Sequence, residues 1–511
     1  MPAPADSQRG KSLVGPTGDA IAVVLDFPPG IQRDGTTFAA DRWIDGQHMR
    51  WFNGRFRKIG GYEASNTTLT GVVRGLDNYW VGGSGYVHSF SQTAIERATI
   101  TTAGVMSAVT NRTPAGFTNN TNNNWQWGAM YDAASAAASL IAHCTESLAD
   151  PGSGTSRPIY YGDVSATSVL VTTGKSTDGG CVVLWPYLVY YGSAGEVGWS
   201  DANQPSVFTG GDSGSARVTA KKVIRGLPIR GSGTQTNGLL WSLDSLLAMS
   251  YVGGAAIFRF QTLSNQISVL SSRGIVEYEG RFYWPAMDRF MMYDGSVRTL
   301  PNFQNVNYFY DNVNFTHRQK IWGLAVPRFG EIWWFYPRGA ETECSHAVIF
   351  NISETMRTGS PVWYDTTLAR TAGTTPGDFR FPLMADTTTP LSTIWRHETG
   401  VDSISGGSTA INSYVETGPI TLQELGLNNW TLLDEVEHDA TQVGDVTMGV
   451  TGRQYARSSD VNVNYTVTST TTRTDLLEQR RQMRVRLTSN EVLGNMEQGK
   501  TLLHVKPGNR Q

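Results

Sequence analysis

The segment IVEYEGRFYWPAMDRFMMYDGSVRTL, residues 275–300, decides the fold of this chain. Short runs of β-branched and aromatic residues lie at 276–278, 282–284 and 290–293, and a further β-branched residue follows at Val297. Glu279-Gly280 and Asp294-Gly295 stand between runs, and glycine supplies the positive φ that tight hairpin turns require. The segment therefore predicts four short antiparallel strands in chain order, a four-stranded meander.

The same arrangement of aromatic strand, tight turn and strand recurs at residues 72–90, 181–199 and 321–350. Meanders repeating about every 40 to 60 residues favour a β-propeller, whose blades pack face to face. We expect residues 61–415 to form an all-β propeller with less than about 15% helix. Because the spacing is irregular and no WD or kelch signature occurs, a β-sandwich or barrel assembly stays the alternative. Residues 111–139 are rich first in Asn and Thr and then in Ala, which predicts a loop insertion with one short helix.

The composition agrees with a turn-rich β-protein and argues against a strong DNA binder. Charged residues make up only 17% of the 511 residues, below the roughly 25% of typical domains, and there are 55 glycines. The net charge of −3 gives no global basic field to hold nucleic acid. Cys144, Cys181 and Cys344 are too widely spaced for a disulfide framework or a Cys-x-x-Cys site, so we expect reduced core thiols. No signal peptide or membrane span is recognisable, and synthesis in a cytoplasm is expected.

The two ends of the chain differ from this central region. The first 40 residues are rich in proline and glycine and predict an extended arm, which leads into a hairpin with an Asn53-Gly54 turn; together they form a predicted N-terminal segment of residues 1–60. Residues 416–511 predict a β-rich docking region, and the last 41 residues hold eight Lys and Arg against four acids. Within it, residues 480–487 alternate, so that Arg484 and Arg486 share one strand face.

Residues that could support catalysis are present but poorly arranged. Gly211-Asp212-Ser213-Gly214 resembles the nucleophile motif of trypsin-like proteases, and His143 lies in a histidine-like segment. Too few residues separate His143 from Ser213 for a barrel with a convergent triad, so we expect a polar loop and a strand-end histidine. Asp294, Glu331 and Asp365 do not form the paired carboxylates of a glycosidase, and no spacing indicates a metal or cofactor site. We expect no enzyme activity and no cofactor.

The Trp-rich run at residues 332–337 has a structural explanation. Alternate side chains of a strand face opposite sides, so Trp333 and Phe335 should pack on one side and Trp334 and Tyr336 on the other. Neighbouring blades on both faces account for the run better than a carbohydrate platform does.

Several motifs in chain order resemble the structural proteins of short-tailed bacteriophages called tail nozzle, hub, tail tubular or DNA-stabilisation proteins. The hairpin and the glycines after it, residues 50–63, resemble the opening "RF-NG-…-KIGG(W/Y)". Residues 199–205 resemble "W-S-D-…-P", 274–295 resemble a "G-(I/V)-V-…-YDG" blade, 331–337 resemble "E-x-W-W-x-Y-P", and 486–490 resemble "R-(F/L)-x-S-N".

The resemblance implies a virion tail component without catalytic chemistry. A homo-oligomeric ring, with six copies expected, would surround the DNA exit channel below portal and adaptor, contact the portal-adaptor protein and tail fibre or spike proteins, and let double-stranded DNA pass without specific binding or membrane insertion. Arginine forks suit carboxylates on a neighbouring protein. The candidate assembly contacts are Arg480, Arg481, Arg484, Arg486, Arg55, Arg57 and Lys58.

Two other functions stay open from the sequence. One is a receptor-binding or tail-fibre-type component that binds a cell-surface glycan, although no repetitive stalk is present. The other is a carbohydrate-active propeller enzyme, although the carboxylate pattern is missing.

Overall fold

The computed structural model describes residues 21–25, 27–36, 42–117, 124–145, 155–229, 237–376, 379–421, 430–453 and 458–508. It is all-β, with 55% strand and 7% helix. The small helical share agrees with the expectation from the repeated aromatic strands and Gly-rich turns.

The N-terminal part contributes four strands, β1 (Ile21–Leu25), β2 (Asp45–Gln47), β3 (Met49–Phe52) and β4 (Arg55–Lys58). Strands β3 and β4 pair with Trp51 opposite Phe56. Asn53 and Gly54 have φ of 53° and 80°, the pair of left-handed residues that a two-residue hairpin turn requires. The hairpin predicted from the Asn-Gly turn is confirmed.

Seven blades account for the propeller among the described residues: six are four-stranded antiparallel sheets, and the seventh belongs to a six-stranded sheet. After β5 (Tyr62–Thr70), six blades consist of consecutive strands: β6–β9 (Val73–Val81, Ser84–Ser91, Ile95–Ile100, Met106–Asn111), β10–β13 (Asn124–Asp132, Ala137–Thr145, Arg157–Asp163, Val171–Thr177), β14–β17 (Gly180–Leu184, Tyr187–Tyr191, Glu196–Trp199, Gly214–Arg217), β18–β21 (Val223–Pro228, Asn237–Ser242, Leu246–Tyr251, Phe258–Ser264), β22–β25 (Val276–Tyr278, Arg281–Pro285, Phe290–Tyr293, Val297–Thr299) and β26–β29 (Trp322–Val326, Glu331–Tyr336, His346–Asn351, Trp363–Thr367). Two short helices, α1 (Val306–Tyr310) and α2 (Ile352–Thr358), lie between blades five and six and within blade six.

The seventh blade closes the ring with strands from both ends of the propeller. Strands β30 (Ala372–Thr374), β31 (Leu383–Ala385) and β32 (Leu391–His397) form three of its strands, and β5 pairs with β32 as the fourth. Strand β30 also contacts β6 of the first blade. Pairing the first and last strands in one blade removes an open sheet edge from the ring. The predicted propeller of meanders is confirmed.

The expected loop insertion at residues 111–139 is wrong from residue 124 onward, whereas residues 112–117 contain neither strand nor helix. Strand β10 begins at Asn124 and pairs along its length with β11, which begins at Ala137. These are the first two strands of the second blade. The Ala-rich residues suggested a helix, but residues 133–136 form the exposed turn between β10 and β11, and Leu140, Ile141 and Ala142 of β11 are fully buried. Residues 118–123 lie outside the described part.

Strand β27 shows why the sixth blade is so rich in tryptophan. Trp333 and Phe335 belong to one buried cluster, and Trp334 and Tyr336 belong to another on the opposite face of the blade. The predicted division of the run between two covered blade faces is confirmed.

The chain ends contribute to a second unit beside the propeller, which we call the terminal unit. It consists of β1–β4 and β35–β43. The two C-terminal strands that come before these, β33 and β34, extend the seventh blade. The C-terminal strands are β33 (Ser403–Ile404), β34 (Ser408–Thr409), β35 (Ser413–Glu416), β36 (Thr431–Glu437), β37 (Ala440–Val443), β38 (Val446–Arg453), β39 (Val461–Val467), β40 (Arg473–Arg480), β41 (Gln482–Ser489), β42 (Asn495–Gln498) and β43 (Thr501–Pro507). Its sheets have the orders β1-β43-β36-β40, β2-β35-β41-β38-β39 and β3-β4-β42-β37.

The division into an N-terminal arm and a separate C-terminal region needs correction, because the two ends fold together. Ile21–Leu25 pairs antiparallel with the strand that ends at Pro507, and Arg57 pairs opposite Glu497. The described part of the arm therefore lies on its own chain. Residues 1–20 of the arm lie outside the described residues. A single buried cluster joins the terminal unit to the sixth blade.

Candidate functional site

Strand β41 presents a buried face and a polar face, as its sequence predicted. Met483, Val485 and Leu487 are buried, while Arg484 and Arg486 lie on the opposite, partly exposed face. On that face β41 is flanked by β35 and β38 in a five-stranded sheet. Two arginines two residues apart on one strand are therefore placed side by side beneath a surface cleft.

The cleft, which we call the terminal groove, has a volume of about 490 Å³ and is the candidate functional site. A volume in this range is typical of ligand and recognition sites. Three arginines and three acids line it together with amide and hydroxyl side chains. The lining residues are Arg33, Ile44, Asp45, Glu416, Thr447, Gly449, Thr451, Asp460, Asn462, Asn464, Arg484, Arg486 and Thr488.

The arginines of the groove are paired with acids of the same chain. Arg484 contacts Glu416 at 2.9 Å and Asp460 at 2.5 Å. Arg486 contacts Glu416 at 2.6 Å and Asp45 at 3.0 Å. The carboxylates that meet these guanidinium groups come from three separate segments of this chain, which corrects the expectation that a neighbouring protein supplies them. The assignment of the strand to a subunit contact stays a prediction.

Arg33 completes this network from the N-terminal side. Its guanidinium pairs with Asp45 and, at 2.9 Å, with Asp365 of the sixth blade. Burial lowers the pKa of Arg33, but Asp365 and Asp45 more than compensate and hold it above its usual value. Burial likewise opposes the positive charge on Arg486, whose pKa is raised by Glu416 and Asp45. The groove is thus lined by a network of ion pairs in which arginines and acids alternate.

The other predicted assembly contacts lie apart from the groove. Arg55 and Arg57 approach Glu497 at 3.7 and 3.8 Å on the surface of the hairpin sheet. Arg480 pairs with Glu478 at 3.2 Å. Arg481 is partly exposed, and none of the described residues forms a hydrogen bond or ion pair with it. These side chains do not form one continuous basic surface.

Lys58 is the candidate contact that the structure contradicts. It is only 2% exposed, and its Nζ donates a hydrogen bond at 2.9 Å to the carbonyl oxygen of Gly494. Burial lowers its pKa, and Asp402 opposes that change. The alternation of cations in the hairpin suggested a surface position, but strand β42 covers this end of β4.

The protease-like residues lie in different blades and have other partners. His143, on β11, is fully buried, and its Nε2 lies 3.0 Å from the carbonyl oxygen of Thr177. Ser213 precedes β17, and its hydroxyl donates to the carbonyl oxygen of Gly210 at 2.9 Å. Burial lowers the pKa of His143 to about 4. The contact with the Thr177 carbonyl oxygen gives the buried His143 a polar partner, so a nucleophilic serine is not needed to explain its position.

Two further groups of acidic residues lie outside the terminal groove. Glu331 and Asp365 are both buried against arginines, Arg50 and Arg33. Within the described part of the chain, Glu435, Glu437 and His504 lie close enough for their ligand atoms to fall within 4.8 Å of one another, so these three side chains could hold a metal ion. His504 contacts Glu437 at 2.8 Å without one.

The sequence missed the acidic half of the terminal groove. Asp45 lies on β2, Glu416 on β35, and Asp460 directly before β39. Because Asp45 is several hundred residues away from the other two in sequence, no local pattern joins the three acids. The alternating Asn462 and Asn464 were the available signal, because asparagines at every second position mark a polar strand face.

No protein-family model matches the chain, and no curated protein matches it significantly. Among solved structures, the chain is similar to BamB from Moraxella catarrhalis at 10% identity and a TM-score of 0.35, over 69% of this chain and 96% of that one. It is also similar to an exo-β-1,3-galactanase from Phanerochaete chrysosporium, solved with galactose, at 9% identity and a TM-score of 0.28, over 88% of this chain and all of that one. These low scores carry no argument about function. No helix within the described residues has the length and apolar character to cross a membrane.

Proposed function

We propose that this protein is a structural component of a short-tailed phage virion, the tail nozzle or hub that surrounds the DNA exit channel. Besides the order of the motifs along the chain, one structural observation supports this proposal. Three of the motif segments, distant in sequence, meet in one buried cluster: Trp51 and Phe56 of the hairpin, Trp333 and Phe335 of the sixth blade, and Leu487 of strand β41. Residues that carry a resemblance and also pack together support a shared structural unit.

The mechanism would be mechanical. The propeller supplies a rigid, closed wall, since its first and last strands share a blade. The terminal unit ties both chain ends to that wall through the shared cluster. Ring assembly then needs heterologous contacts between copies, and the terminal groove offers a polar, charge-ordered surface for them. Arg484 and Arg486 would contact a neighbouring copy while already paired with acids of their own chain. Such contacts contribute more to the orientation and specificity of binding between copies than to its affinity.

The test is direct imaging of the purified full-length protein by negative-stain electron microscopy. The proposal expects six-fold rings with a central opening. Trimeric spikes would favour a receptor-binding component, and single particles of one propeller each would contradict a ring-forming nozzle.

A second candidate, binding of a cell-surface glycan, is favoured by one feature of the groove. Asn462, Asn464, Thr447 and Thr451 offer amide and hydroxyl groups beside charged ones, as sites for hydroxyl-rich ligands do. Titration of the purified protein with host polysaccharide separates this function from ring assembly, because glycan binding would persist in a monomer.

A further inference from the structure

Four polar or aromatic residues on the inner strands of the propeller border its axis. Asp77 lies on β6 of the first blade, Trp127 on β10 of the second, Arg225 on β18 of the fourth, and Arg273 directly before β22 of the fifth. First strands of neighbouring blades contact each other, as β10 contacts β14 and β14 contacts β18. All four side chains nevertheless stay partly exposed. Arg273 contacts Trp127 and interacts with Asp77 and Arg225, so the four side chains meet at the centre of the ring, which we call the axial tunnel.

Arg273 reaches across this tunnel. Its guanidinium carbon lies 4.0 Å from the ring centre of Trp127. In a ring of seven blades, the second and fifth lie on opposite sides of the axis. The stacked pair therefore spans the tunnel and fixes one guanidinium plane near its centre.

Two of these four residues are arginines, and only one is an acid. Arg273 is desolvated and also feels the positive charge of Arg225, and both effects lower its pKa well below the usual value. The Nε atoms of both arginines are buried and lack a hydrogen-bond partner in the described part of the chain. No ion pair joins either guanidinium to a described acid within 4.0 Å. Neither arginine therefore has a directly paired acid among the described residues.

Asp77 does not supply a full counter-charge. It interacts electrostatically with Arg273, but its oxygens already accept hydrogen bonds from the Tyr79 hydroxyl at 2.5 Å and the Asn78 N–H at 3.0 Å. Burial raises its pKa to about 6. The carboxylate is thus engaged by its own strand.

We propose that the axial tunnel binds a small oxyanion of the sulfate or phosphate type between Arg225 and Arg273. Guanidinium forks match the oxygens of such anions in distance and angle. Inside the tunnel the low polarity strengthens the attraction relative to water. Asp77 competes with the anion for Arg273. The proposal does not depend on the function in the tail.

The test is calorimetric titration of the full chain with sodium sulfate at constant ionic strength in chloride buffer. Sulfate stays fully ionised near neutral pH, so its own titration does not interfere. Arg225→Gln and Arg273→Gln should each weaken binding about tenfold or more, the loss of one charge-assisted contact. Arg259→Gln, an exposed arginine on the outer strand of the fourth blade, is the matched control and should bind as the wild type does.

Asp77→Asn tests the same site without relying on a loss of sulfate binding. Removing the competing carboxylate should leave sulfate binding equal or tighter. Near-ultraviolet circular dichroism of each variant establishes that the propeller is intact. The proposal is overturned by absence of sulfate binding in the wild type, by unchanged binding in both arginine variants, or by weaker binding in Asp77→Asn.

Discussion

Arg50 of the opening hairpin and Glu331 of the sixth blade form a fully buried, two-pronged ion pair. Arg50 Nε donates to Glu331 Oε1 at 2.9 Å, and Nη2 donates to Oε2 at 2.8 Å. The same guanidinium also contacts Glu398 at 2.7 Å and lies 3.6 Å from the ring centre of Phe329. Both residues belong to motifs that carry the phage-tail resemblance. Their pairing joins the terminal unit to the sixth blade of the propeller.

Removing one partner of this pair should strongly destabilise the protein. Burial by itself raises the pKa of Glu331, and the Arg50 guanidinium opposes that rise. Arg50→Met leaves two acids without their cation, and we expect a loss of about 3–5 kcal/mol in the free energy of unfolding. The measurement is denaturant unfolding followed by tryptophan fluorescence.

The matched control is Arg289→Met, because Arg289 pairs with Asp288 on the exposed surface. Exposed pairs contribute little, so the control should unfold close to the wild type. Equal stability of the two variants would mean that the buried pair does not join the units.

The second glycine of the Gly60-Gly61 pair should not tolerate a side chain. A Cβ at Gly61 would lie 2.3 Å from the carbonyl oxygen of Asp402, which is backbone and has little freedom to move. Gly61→Ala should therefore lower the melting temperature by several degrees, as for the loss of a few kcal/mol. Gly407→Ala, where nothing lies within 4 Å, should melt like the wild type.

The propeller should lose stability as the pH falls below neutrality. His143 is buried and uncharged, with a pKa of about 4 in the folded protein against about 6.5 when unfolded. Below pH 6.5 the unfolded chain binds the proton more readily, so this contribution to stability is present above that pH and decreases towards pH 4.

His143→Gln can keep a donor towards the Thr177 carbonyl oxygen but does not titrate. Its melting temperature should fall less steeply between pH 7 and pH 4.5 than that of the wild type. Parallel curves for the two proteins would remove His143 from this explanation.

Assembly should depend on the arginines of the terminal groove. Arg484→Gln with Arg486→Gln removes both cations, and we expect loss of higher-order assembly in sedimentation. The double variant also leaves Glu416, whose side chain is 5% exposed, without its partners, so some stability is lost as well.

A triple variant separates assembly from folding. Adding Glu416→Gln removes the buried carboxylate that the double variant leaves unpaired, and it should recover much of the lost melting temperature without recovering assembly. Normal assembly of the triple variant would show that the arginines only stabilise the terminal unit.

The local patterns of the sequence predicted local structure well. The meander at residues 275–300, the Asn53-Gly54 hairpin and the two faces of β27 follow from turn residues and period-two alternation, which act over a few residues. The alternation around Arg484 also held. Such patterns depend on neighbours in sequence, and the structure adds only strand boundaries.

What failed depended on partners distant in sequence. Lys58 is covered by β42, more than 430 residues away in the chain, and β1 finds its partner in β43. The Ala-rich residues before Leu140 have a helical composition, but pairing with β10 and β12 decides for strand. Composition records propensity, whereas tertiary pairing of this kind leaves no trace in a single sequence.

Whether the protein forms the proposed ring can be measured as the mass of the purified assembly in analytical ultracentrifugation. Each chain has a mass of 55.8 kDa. We expect a discrete species of six chains, which disappears in the double variant Arg484→Gln with Arg486→Gln. A wild-type protein that sediments as a single chain at every concentration would contradict the proposed ring.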